Sequence, residues 1–230
     1  MKQDNAKDPS RRAVLGSALM LPVGLAAAAC DLPVPGQGPP PALYRLTPKS
    51  TFGPDLPQVD WQLVLEVPVA EAGLSTTRVA LQKTPTQLEY YARSGWSDRA
   101  PSMIQTLMIE SFENSGSIVA VGRESVGLRA DFILKSELRE FQAEYFRGPK
   151  PEVHVTINAK LVQMPRRVII GSQSFSALAI AERDVMEDII EAFDVALGKV
   201  LHLVEWTLLT GEEAFVGARL PEGGQDLSEG

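Results

Sequence analysis

Polar and apolar residues alternate most regularly between Val153 and Leu161. Val153, Val155, Ile157, Ala159 and Leu161 take one side, and His154, Thr156, Asn158 and Lys160 the other. Successive side chains of an extended chain point to opposite faces, so this is a strand with one buried face. Met164-Pro-Arg-Arg167 supplies a turn, and residues 168–180 return as the partner strand. Residues 61–67 alternate less regularly and stop at Pro68, which has no N–H to give to a ladder. Residues 77–82 and 87–92 read as two short strands around a turn at 83–86, and 117–121 as another.

The spacing becomes helical in two places. Pro101 suits a first helical turn, where its missing donor has no partner to lose. Met103, Ile104, Leu107, Met108 and Phe112 then share one face, and Gly116 closes the helix. Met186, Ile189, Ile190, Phe193, Leu197, Val200, Leu201 and Val204 form a second stripe that should run to about Trp206. Glu182, Asp184, Glu187 and Asp188 lie near its start, where the helix dipole favours acids. Residues 130–145 fit both periods: Phe132, Leu134 and Leu138 alternate, while Leu134, Leu138, Phe141 and Tyr145 recur at helical spacing. The pattern predicts an α+β domain: a mostly antiparallel sheet, with a mid-chain helix and a long C-terminal helix packed on one face.

The first 29 residues read as an address, not as part of this fold. A polar stretch leads to Arg11-Arg12, then to an apolar run over residues 13–29 that ends at Cys30. A basic start, an apolar middle and small residues before a cut site are the layout of an export signal. Arg11 and Arg12, in Ser10-Arg-Arg-Ala-Val-Leu15, resemble a twin-arginine motif, with Val14 where Phe is usual. Cys30, the only cysteine, directly follows Leu25-Ala-Ala-Ala-Ala29, which resembles a lipobox and marks Cys30 for acylation. Residues 30–41 are then the lipidated Cys and a spacer, since 31–41 hold five Pro and two Gly. Residues 42–209 form the domain, and 210–230, rich in Gly and acids, an acidic mobile tail.

Charge narrows the partners. The 230 residues carry 22 Lys and Arg against 29 Asp and Glu. Removing residues 1–29 takes away Lys2, Lys7, Arg11 and Arg12 but only Asp4 and Asp8, which moves the net charge from −7 to −9. Such a chain makes no phosphate-binding stripe, so nucleic acid is excluded as a partner, and a lipid bilayer must be held through acylated Cys30. One Cys and two distant His (His154, His202) offer no local metal-ligand pair and no disulfide framework.

Catalytic strings are also missing. Gly122-Arg-Glu-Ser125-Val-Gly127 has one residue too many for a nucleophile elbow, and no Gly-rich phosphate loop occurs. His154 reads as a solvated or edge histidine and His202 as a capped core histidine. Asp131 and Glu137 read as surface charges before they read as a carboxylate pair. Tyr90, Tyr91 and Trp96 form an aromatic group that is either a core corner, the favoured reading, or a partner or lipid contact. Arg166-Arg167 at the hairpin tip reads as a solvated turn. The expectation is a non-enzyme without cofactor or metal.

Taken in order, Cys30, Tyr44-Arg-Leu46, Leu65-Glu-Val-Pro68, Leu88-Glu-Tyr-Tyr91, Gly95-Trp96, Pro101, Ser111-Phe-Glu113 and Ala130-Asp-Phe-Ile-Leu134 followed by Leu138 and Phe141 resemble the ABC-type transport auxiliary lipoprotein family. That resemblance decides residues 130–145 for a long strand with a slip near Glu140. It implies a non-catalytic subunit that works with an MCE-domain periplasmic protein, an ABC permease and its ATPase. Together these would move phospholipid or another hydrophobic substrate between inner and outer membranes. Only Cys30 carries over as a functional position. The outer membrane is the favoured location, although Asp31 after Cys30 resembles an inner-membrane retention signal. A stand-alone lipid- or glycan-binding envelope lipoprotein is the alternative.

Overall fold

A computed structural model describes residues 40–124, 127 and 129–219. In chain order the elements are β1 (Ala42–Tyr44), β2 (Val59–Leu65), β3 (Val69–Ala70), β4 (Arg78–Thr84), β5 (Gln87–Trp96), α1 (Ala100–Asn114), β6 (Ile118–Arg123), β7 (Phe132–Glu144), β8 (Glu152–Gln163), β9 (Val168–Ile180), α2 (Met186–Val200) and α3 (Leu203–Arg219). The strands form one sheet with the three helices on one face, the α+β arrangement expected.

The sheet is organised around β7. One edge of β7 pairs antiparallel with β8 over its whole length, from Phe132↔Gln163 to Glu144↔Glu152. The other edge is divided among three shorter parallel partners: β2 at Phe132–Leu134, β3 at Glu137 and Leu138, and β4 at Gln142–Glu144. β6 extends the sheet beyond β2, while β5 and β1 extend it beyond β4, so the sheet forks on this side. β9 continues it beyond β8. The long pairings, β7 with β8 and β8 with β9, are antiparallel, and the parallel ones are short.

Residues 130–145 are a strand, and the slip near Glu140 is present: the register with β8 shifts between Leu138 and Glu140. Up to the shift Phe132, Leu134, Ser136 and Leu138 face the helices; after it Phe141 and Ala143 do. A bulge of this kind reverses the alternation of one strand without ending the ladder.

Aromatic contacts join the layers. Trp96, Phe141 and Phe193 meet with ring centroids 5.0–5.3 Å apart and tie β5, β7 and α2 together. Trp61 sits edge-on to Phe132 at 4.9 Å, and Phe132 to Phe215 at 6.3 Å, tying β2 and β7 to α3. Such pairs contribute about 0.5–1.5 kcal/mol each beyond their area.

Two expectations for the C-terminus are corrected. The helical stripe breaks at Leu201-His202, and α3 then continues to Arg219, well into the stretch expected as tail. Gly211 is the reason. A Cβ there would lie 2.6 Å from Cζ2 of Trp61, so the glycine admits the indole against the helix instead of ending it. Glu212 accepts the Trp61 indole N–H at 3.2 Å, and Ala214 and Phe215 pack on the core. The break also changes the helical phase, so His202 is not a core residue. Its side chain is 63% exposed and lies 2.9 Å from Glu205.

Gly211→Val should therefore destabilise the fold by about 1–3 kcal/mol through overpacking against Trp61. Gly198→Ala, in α2 with open space around it, should stabilise by about 0.5–1 kcal/mol. Urea unfolding midpoints of the two variants check both signs.

Candidate functional site

The densest polar chemistry lies on the sheet face turned away from the helices. Once Arg139 has shifted the register, Glu140, Gln142 and Glu144 point opposite to Phe141 and Ala143. Pairing then sets Gln142 beside His154 and Glu140 beside Thr156, and β9 places Ser176 next to Thr156. The group is thus assembled by strand register across β7, β8 and β9.

Glu144 is its centre, buried with only 2% of its surface exposed. Arg147, from the loop after β7, donates to it in an ion pair. His154 Nδ1 lies 3.0 Å from Glu144 Oε1, and the Gln142 amide donates to Glu144 at 3.1 Å and to Glu140 at 2.6 Å. On the other side of the imidazole, Nε2 is 3.1 Å from both Ser176 Oγ and Thr156 Oγ1, which are 2.8 Å from each other. Burial pushes the Glu144 carboxyl up, but the hydrogen bonds from Arg147, His154 and Gln142 outweigh it. The net result is a value below the usual range. The same pair raises Arg147.

Two chemistries fit this order of groups. Carboxylate, imidazole and hydroxyl in series can hold or pass a proton. Glu140, Glu144 and His154 each offer a ligand atom within 4.8 Å of the others, as a cation would require. The Arg147 guanidinium supplies Glu144 with positive charge, and Glu140 accepts the Gln142 amide.

The aromatic group from the sequence is spread over three environments. Arg93, at φ 55°, redirects β5 between Tyr91 and Trp96. Trp96 is buried in the core between Phe141 and Phe193. Tyr90 lies under the Arg78 guanidinium at 3.8 Å and donates to Gly73 O at 3.0 Å. The Tyr91 hydroxyl is 2.9 Å from that of Tyr145, which donates to Asp184 at 2.7 Å. Burial raises both phenols, Tyr145 to about 12. Asp131 and Glu137 have separate partners: Asp131 accepts the Gln62 N–H at 2.8 Å, and Glu137 pairs with Arg139. Arg166 and Arg167 are exposed at the hairpin tip. Cys30, Arg11, Arg12 and Ser125 lie outside the described residues.

A second feature is a strap where the chain enters the domain. Tyr44 pairs with Trp96 in the β1–β5 ladder, and Leu46 is buried. The Thr47 N–H and hydroxyl both donate to Asp194 of α2, at 2.6 and 2.7 Å. Arg45 meets Glu110 of α1 at 3.0 Å, and the Lys49 N–H donates to Ser111 Oγ at 2.9 Å. Sequence reading missed both the strap and the Glu144 group. For the second, the signal was the polar period of two at Glu140, Gln142 and Glu144, hidden because it opposes the parity of the strand's first half. Among the described residues, no helix is long and apolar enough to cross a membrane.

Comparison with known proteins gives a consistent picture. The family model described as "ABC-type transport auxiliary lipoprotein component" matches residues 44–204. A solved protein of Xanthomonas campestris, assigned to the DUF330 family, is 30% identical. It aligns over 76% of this chain and 97% of its own, with a TM-score of 0.68. A second solved protein, itself uncharacterized, shares the fold at 13% identity and a TM-score of 0.58, over 73% of this chain and 98% of its own. An uncharacterized protein of Bradyrhizobium diazoefficiens is 25% identical over 167 residues, covering 72% of this chain but 44% of the relative. The chain thus spans less than half the length of that curated relative.

The lowered carboxyl of Glu144 fixes a pH dependence. Its stabilising contribution is complete above the unfolded carboxyl value of about 4.3 and is lost as pH falls through the lower folded value. Between about pH 5 and pH 2, Glu144→Gln should therefore lose less stability than the parent chain, read from denaturant midpoints at each pH. Arg147→Met, which removes one partner of a buried carboxylate, should cost about 1–3 kcal/mol at neutral pH.

Proposed function

Because this chain belongs to the ABC-type transport auxiliary lipoprotein family, we propose that it serves as a lipid-anchored, non-catalytic subunit of an MCE-type ABC system. It acts on the periplasmic side of the envelope and helps phospholipid, or another hydrophobic substrate, pass between the inner and outer membranes. Its partners are an MCE-domain periplasmic protein and the permease and ATPase of the same system. Residues 1–29 direct export, with Arg11 and Arg12 marking the twin-arginine route, and acylated Cys30 holds the chain on the bilayer, the outer membrane in preference to the inner.

The observation that carries this reading is the family match running from Tyr44, on the strap, to Val204, in α3. It spans β2 to β9 with α1 and α2, and reaches the first residues of α3. The strap adds a mechanical argument. A subunit tethered by its N-terminus transmits load at the point where the chain enters the fold, and here that segment buries Leu46 in the core and is fastened to α2 by the paired Thr47–Asp194 bonds and to α1 by the Lys49–Ser111 bond.

Mild-detergent purification of the lipidated chain from native membranes, followed by mass spectrometry, tests the proposal. An MCE protein and its permease should co-purify, and Cys30→Ala should release the chain into the soluble fraction. Bound lipid or glycan without those partners would replace the complex with a stand-alone envelope lipoprotein. Density-gradient separation of the two membranes reads the location directly.

A further inference from the structure

On the side without helices most of the sheet is polar, but one row across it is not. Register aligns Val64 of β2 with Ile133 of β7, Ile133 with Val162 of β8, and Val162 with Ile169 of β9. The row lies on that face because the strand neighbours Leu63, Leu134 and Leu161 are buried toward the helices. Val64 and Val162 are only 4% and 5% exposed although no helix covers them, while Ile169 stands open. The hairpin tip gives part of the cover. The Met164 N–H donates to the Asp131 carbonyl at 2.8 Å, and Met164 and Pro165 wall a hollow of about 400 Å³ beside Val64 and Ile133. A second hollow, of about 250 Å³, is lined by Val162 and Ile169 and shares Ile133 and Arg167 with the first. Concave sites of this order, apolar with a few convergent polar groups, are where small ligands bind.

The cations around the row are open to an anion. Arg129 and Arg167 line the first hollow, are exposed, and form no ion pair among the described residues. Lys160 is also exposed and stands opposite Lys135 in the next row of the same face. The acids nearby are largely engaged: Glu66 pairs with Lys135, and Asp131 accepts the Gln62 N–H, which leaves Glu124. In a chain of net charge −7 this is a local excess of positive charge.

The dimensions select one kind of occupant. Three strand spacings of about 4.8 Å give the row a length of about 14 Å. A bilayer's hydrocarbon core, about 30 Å thick, is two chains deep, so one acyl chain extends about 15 Å. The row is one side chain wide, which suits one such chain and not a pair. We propose that it binds a single-chain anionic amphiphile, a fatty acid or a lysophospholipid. The acyl chain lies across β7, β8 and β9 on Ile133, Val162 and Ile169, and the head meets the Arg129 and Arg167 guanidiniums at the Val64 end. Carboxylate and phosphate heads both match guanidinium donors. The site goes beyond the transport reading and does not rest on it: binding needs this chain alone, so absence of the transport partners would leave it standing.

Photolabelling of the full chain in an uncharged sugar detergent tests this, with a lysophosphatidylglycerol that carries a diazirine on its acyl chain as the probe. Label should fall within residues 129–135 and 162–169. Myristate and unlabelled lysophosphatidylglycerol should displace it, the tighter of the two naming the head. Uncharged monomyristoylglycerol should compete at least about tenfold more weakly, and inorganic phosphate not at all. Arg167→Glu and Ile169→Lys, both at exposed positions, should each lower labelling at least about tenfold while the urea unfolding midpoint stays unchanged. Label elsewhere on the chain, equal competition by the uncharged lipid, displacement by inorganic phosphate, or labelling indifferent to both variants would overturn the proposal.

Discussion

Arg139 stands opposite no residue of β8, and the offset it introduces decides what each half of β7 presents to the two faces of the sheet. Without it, the alternation that buries Phe132, Leu134 and Leu138 would turn Gln142 and Glu144 into the core and Phe141 and Ala143 out of it. A one-residue slip transfers a whole set of side chains. With it, Phe141 reaches Trp96 and Phe193, and Glu144 reaches His154 and Arg147. The main aromatic cluster and the polar cluster are therefore two consequences of the same bulge. The bulge also separates the point where β3 pairs with β7 from the point where β4 does.

That same offset explains why residues 130–145 read ambiguously. Leu138 to Phe141 is a step of three, which in an unbroken strand would put the two on opposite faces and in a helix on the same one. Here the extra residue makes them face the same side, so a bulged strand imitates helical spacing over a short window. The resemblance to a known family resolved the choice where periodicity alone did not. By contrast, β8 has no such interruption up to Leu161, and its five apolar residues from Val153 onward are all buried.

The C-terminal boundary was misread for a different reason. Gly211 and the acids after it have the composition of a tail, and composition carries no knowledge of what the helix packs against. The Trp61 indole, from a strand far earlier in the sequence, occupies the volume that a side chain at 211 would need. Gly171 repeats the arrangement under Trp206 and Thr210, where a Cβ would lie 2.9 and 3.0 Å away. In both cases glycine marks a close approach between a helix and the sheet. Tyr90, Tyr91 and Trp96 show the converse limit: they are neighbours in sequence, but strand alternation separates Tyr90 from Tyr91, and the left-handed residue Arg93 lies between them and Trp96.

The strap makes clear which contacts fasten residues 44–49 to the helices. The Arg45–Glu110 pair is exposed, with the Arg side chain 61% accessible, and pairs of that kind contribute about 0–1 kcal/mol and weaken with salt. Leu46, buried at 2%, contributes about 1.5–3 kcal/mol by leaving water. The two bonds from Thr47 to one carboxylate add directionality, because they fix both the backbone and the side chain of the same residue to α2. α2 in turn packs on β8 and β9. Residues 42–47 are thus joined to the sheet through the helix layer as well as through the short β1–β5 ladder, and the apolar anchor, more than the visible ion pair, sets how firmly they are held.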